Sequence, residues 1–181
     1  MQLRWPFLCV IFLLVQPCIA AVSIHTIEAT LVDESYVLDV DIEYDLADEV
    51  RDALQNGIEL HFEVQAAVVR SRNWMWDETV DSVTRQYSIS YRPLAKHYQV
   101  GHDKSEEKTY HKTLSQALRA MGAIRGWPLI NSSELIHKEL YQVRVKCTLE
   151  VDQLPLPLQP TAYFSQDWQL DADPLLWRLI Y

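Results

Sequence analysis

Between Tyr36 and Leu46 the chain alternates, with Val37 the one apolar residue on the polar parity. Tyr36, Leu38, Val40, Ile42, Tyr44 and Leu46 are apolar, and Asp39, Asp41, Glu43 and Asp45 stand between them. A two-residue period puts the apolar side chains on one face of an extended strand and the acids on the other. Such a strand belongs to an antiparallel sheet with one face in a core and one in water. The period returns at Ile58, Leu60, Phe62, Val64, Ala66 and Val68, and again at Tyr141, Val143, Val145, Cys147, Leu149 and Val151. A sheet with one apolar face must bury it against a second layer. The predicted fold class is therefore mainly β, an antiparallel β-sandwich, of which an immunoglobulin-like architecture is one form.

Shorter elements complete the expected order. Ile24–Val32 reads as a first strand, with further strands at Val80–Tyr91 and Lys96–Val100 and a loop over Gly101–Glu107. Two short helices sit in the connections. One covers 47–56, with Gly57 beyond its end; the other covers Thr113–Met121, with Leu114, Ala117, Leu118 and Met121 as its inner stripe and Gly122 as its stop. After the strand at 141–151 comes Leu-Pro-Leu-Pro-Leu-Gln-Pro at 154–160. Alternate prolines remove backbone donors from one side only, so this stretch is predicted to be an edge strand docked through its leucines. A polyproline ligand built on Pro157 and Pro160 is the competing reading.

The N-terminus supplies Arg4, an apolar run from Trp5 to Val15, and the small-residue site Cys18-Ile19-Ala20. That order is the signature of a secretory signal peptide. The expected organisation is a signal over 1–20 and one β-sandwich domain over 21–181. Export to a bacterial periplasm follows, with an uncleaved inner-membrane anchor facing the periplasm as the alternative. No integral membrane domain is expected after cleavage. Cys9 and Cys18 fall in the signal, which leaves Cys147 alone, a buried small hydrophobe on an apolar strand face.

The chain carries 16 basic and 25 acidic residues, a net charge of −9. Twelve acids and one base lie between Glu28 and Glu63, whereas thirteen bases lie between Arg70 and Lys146. This balance disfavours nucleic acid as a partner, because affinity for phosphate needs clustered cations. The acidic ladder Asp39, Asp41, Glu43 and Asp45 calls for cross-strand bases, and Arg144 and Lys146 are the expected ones.

Enzyme motifs are scarce. Four glycines, at 57, 101, 122 and 126, do not make a phosphate loop or a dinucleotide fingerprint. No cofactor is expected. His97, His102, Asp103 and His111 carry zinc-ligand chemistry at a spacing foreign to ordinary zinc sites, so no metal site is assigned. The distinctive stretch is Arg70-Ser71-Arg72-Asn73-Trp74-Met75-Trp76-Asp77. Arg70, Arg72, Trp74 and Trp76 share one strand parity. They read either as an Arg–Trp stack that caps the sandwich or as a binding platform, since Trp and Arg are frequent interface anchors. The chain is expected to bulge near Ala66–Arg70, where both faces turn apolar.

Arg72-Asn73-Trp74-Met75-Trp76-Asp77, Tyr91-Arg92-Pro93-Leu94 with Tyr98-Gln99-Val100, Leu154-Pro155-Leu156-Pro157-Leu158 and Trp168-Gln169-Leu170 occur in that order. In this the chain resembles a bacterial family of uncharacterised proline-rich signal-peptide proteins, classed as a domain of unknown function. The family pattern continues with Asp-Ser, where this chain has Asp171-Ala172, so no role for a hydroxyl carries over. The resemblance implies an envelope placement and a link to a membrane sensor kinase, and it brings no catalytic residue. The expected function is a periplasmic, non-catalytic binding protein whose partner is a protein or envelope component. The alternative is an envelope hydrolase that uses carboxylates such as Asp77 and Glu78.

Overall fold

The structure is a computed structural model and describes residues 21–72, 76–102, 107–137 and 139–179. Two antiparallel sheets account for most of it. β1 (Ala21–Val32) and β2 (Ser35–Asp45) form a hairpin, and β7 (Ala123–Asn131) adds to the other side of β2. The second sheet has six strands in the order β6-β5-β4-β3-β8-β9. They are β3 (Leu60–Arg70), β4 (Glu78–Arg92), β5 (His97–His102), β6 (Lys108–His111), β8 (Tyr141–Leu149) and β9 (Leu175–Leu179). This three-plus-six division is distinct from the four-plus-three of constant-type immunoglobulin domains.

The alternation seen in the sequence is the alternation of burial. Tyr36, Leu38, Val40, Ile42 and Tyr44 of β2 are buried, as are Phe62, Val64, Ala66 and Val68 of β3 and Val143, Val145 and Cys147 of β8. These rows meet in one apolar core, where the rings of Tyr44 and Phe62 join the two sheets edge to face at 5.0 Å. Cys147 is buried as expected; its thiol lies 3.7 Å from the Tyr44 hydroxyl, and burial pushes it up to about 12. Val68 and Val69 are both buried, but the bulge expected on this strand falls on its neighbour: Val68 faces Asp81 and Val69 faces Thr79, so Val80 of β4 is the extra residue, while β3 keeps register with β8.

α1 (Asp48–Gln55) buries Val50 and Leu54 and opens with Asp48 and Glu49, acids that suit the positive end of a helix. It ends in a Schellman cap: Gly57 donates to the Leu54 carbonyl, Ile58 donates to the Ala53 carbonyl, and Gly57 takes a φ of +89°. α2 (Leu114–Gly122) starts at Thr113, whose hydroxyl accepts from the Gln116 amide. Gly122 does more than stop this helix. A Cβ there would stand 1.9 Å from the Ile42 carbonyl oxygen, so only glycine lets α2 lie against β2.

The proline-rich segment is not an edge strand. Leu154 is buried, but Leu156 is 79% exposed, and Leu158 donates to the Pro155 carbonyl to close a turn. The same fixed φ that suits an edge strand also suits a turn, and Pro160 suits the first turn of a helix. A third helix, α3 (Gln159–Phe164), begins there, one more than the sequence predicts. The Gln159 side chain ties its start to the Asp152 and Leu154 carbonyls. β9 takes the edge beside β8 instead.

The acidic ladder also finds other partners. β2 and β8 lie in different sheets, so Arg144 and Lys146 stand across the core from it. Arg125 of β7 binds Asp41 at 2.5 Å, and the Gly126 amide donates to Asp39 at 2.7 Å.

Candidate functional site

Arg70 ends β3 and Glu78 begins β4, and the antiparallel register sets them directly opposite. Arg72, two residues past the end of β3, reaches the same carboxylate. Both guanidinium groups donate to Glu78 Oε2, so one acid is clamped by two bases. The hydrogen bond from Arg70 holds the Glu78 carboxyl below its ordinary range against an opposing effect of desolvation, and the same bond raises Arg70. Next to this clamp, Asp77 lies 3.6 Å from Arg144 of β8, and Ser71 donates to the Leu140 carbonyl. Ser71 and Asp77 are thus both tied to the start of β8 and the residue before it.

Trp76 stands apart from this network, with 94% of its surface exposed. It is not a core cap. Arg70 and Arg72 direct their donors to Glu78, and the Arg–Trp stack found among the described residues is a different one, Arg85 over Trp127 at 5.1 Å. The capping reading therefore fails for Trp76, because clamping by a carboxylate satisfies the arginines better than an indole face. Trp74 lies outside the described residues. The structure brings Arg70, Arg72 and Trp76 to one end of the six-stranded sheet. The clamp itself was not foreseen in the sequence; its signal is an Arg and a Glu eight positions apart at the facing ends of two strands.

Glu78 is shifted away from what a general acid needs, which is a carboxyl raised toward neutral pH. A cavity of about 360 Å³ opens elsewhere, between α2 and the end of β2, lined in part by His25, Glu43, Ser115 and Arg119. In it His25 Nε2 meets both Glu43, at 2.6 Å, and Ser23 Oγ, at 3.2 Å. A proton relay requires two different ring nitrogens, and this contact pair uses one. Among the described residues, no group of three His, Cys, Asp or Glu side chains is placed to hold a metal. His97 packs against the Tyr110 ring and His102 stacks on Tyr87, while Asp103 lies outside the described residues.

Among the described residues no helix is long and apolar enough to cross a membrane. No curated protein and no solved structure matches the chain. The model of a domain of unknown function, DUF4390, matches residues 20–178, a span that takes in both sheets, the Arg–Glu clamp and Trp76. The chain belongs to the DUF4390 family.

Proposed function

We propose that this chain is an exported, non-catalytic binding module of the bacterial envelope, and that it docks a protein or envelope component through Trp76 beside the Arg70–Glu78–Arg72 clamp. The observation that carries this is the 94% exposure of Trp76 next to an ion-paired base. An indole left in water gains much on burial, and Trp and Arg are the residues that most often anchor interfaces. Fixing the base of the turn lowers the ordering cost of binding. Charge supports the same choice of partner, since a chain of net −9 is poorly suited to nucleic acid or an anionic lipid surface.

The N-terminal signal supports a periplasmic location, with the anchored form as the variant in which residues 1–20 are retained. The family resemblance supports a membrane sensor kinase as the partner.

Trp76→Ala tests this directly. The substitution should leave thermal stability within about 0.5 kcal/mol, as for a surface position. Capture of the envelope partner should weaken by about 2 kcal/mol, roughly thirtyfold. Arg72→Lys keeps the charge and loses the planar fork, so it should weaken capture less. A large fall in stability for Trp76→Ala with capture intact would overturn the proposal.

A further inference from the structure

α2 carries two faces. Ala117 and Met121 are buried in the core, while Ser115, Leu118, Arg119 and Gly122 recur at helical spacing and line the cavity beside β2. A bulge makes another part of the wall. Ile24 faces Ile42 and Thr26 faces Asp41, so His25 is the extra residue on β1. His25 and Thr26 are both exposed, where a regular strand would turn one of them to the core. The bulge thus brings the imidazole to the cavity, where it holds Glu43.

Charges around this cavity are sorted by element. β2 supplies Asp41 and Glu43, and α2 supplies Arg119. Asp41 accepts from Arg125 through Oδ1, and Glu43 meets His25 through Oε2. Each acid keeps a second oxygen with no side-chain partner among the described residues. Arg119 makes no ion pair among the described residues, although both acids line the same cavity. The space between them is wider than a salt bridge, and Ile42, Leu118 and Ala123 give it apolar walls.

We infer that this cavity binds a small zwitterion with an apolar side chain, an amino acid or a dipeptide. Its carboxylate pairs with Arg119, and its ammonium pairs with Glu43 and Asp41. A simple anion would meet two carboxylates, and a simple cation would meet the guanidinium. A molecule that bears both signs satisfies both, and its side chain covers Leu118. The planar fork of Arg119 suits a carboxylate and fixes its orientation. A volume of about 360 Å³ lies in the range of small-molecule sites. The cavity belongs to the three-stranded sheet, so the inference does not rest on the docking role of Trp76 at the end of the other sheet.

The experiment is calorimetric titration of the full chain with leucine and with leucyl-leucine. At least one should bind, and the stronger binder tells a free amino acid from a peptide. The N-acetylated and C-amidated forms of that compound each lack one charge and should bind about tenfold or more weakly. They test the charges in the unchanged protein. Arg119→Gln and Glu43→Gln should each weaken binding about tenfold, with melting curves as the folding control. No binding of either compound at about 10 mM, capped forms that bind as well as the zwitterion, or folded variants that bind like wild type would overturn the inference.

Discussion

Glu78 is the residue on which the local structure turns. It neutralises two arginines that would otherwise leave β3 as competing cations, and it fixes the end of β4. Its carboxyl is held low by the Arg70 hydrogen bond, so its contribution to stability has a definite sign. A depressed folded value means the stabilisation is fully present above the unfolded value near 4.5 and is lost as pH falls through the lower folded value. Acid titration of the melting temperature should show this loss, and Glu78→Gln should flatten that part of the curve while lowering stability at neutral pH. An identical acid profile in the two proteins would show that the clamp contributes nothing. The glycine at 122 is a residue of another kind, chosen by the space left by Ile42 rather than by its place at a helix end. A single sequence shows the glycine and not the neighbour, so only its stop role was legible.

At the scale of elements, strands with unbroken alternation were legible and irregular ones were not. β2 and β8 each bury one parity, and β3 does so from Leu60 to Val68 before burying Val69 as well. β7 was missed because its pairing with β2 shifts register twice, which breaks the period around Gly126 and Pro128. β9 was missed because it is short and buries only Leu179 of its five residues. The prolines at 155 and 157 misled for a physical reason: one φ serves both an edge strand and a turn. Leu156→Asp should accordingly change stability by no more than about 0.5 kcal/mol, whereas Leu154→Ala should cost about 2–5 kcal/mol. Thermal melts of the pair separate the turn from the edge strand, which requires Leu156 to be the costly site.

The whole molecule explains why the chain's charges are segregated. The acid-rich stretch forms the outer face of the three-stranded sheet and α1, and the bases follow mainly in the six-stranded sheet and its connections. Layer membership decides which charges meet, and that is why Arg125, eighty-four positions from Asp41, is its partner rather than Arg144. The candidate site was legible as a run of residue types; its geometry was not, because the exposure of Trp76 follows from where the clamp ends. The most direct measurement puts a photo-crosslinking aromatic at position 76 in the living cell, with position 94 as control, since Leu94 is equally exposed on the turn after β4. Illumination should yield one discrete adduct from position 76 and none from position 94. No adduct at 76, or the same adducts from both positions, would contradict a binding role for this end of the sheet.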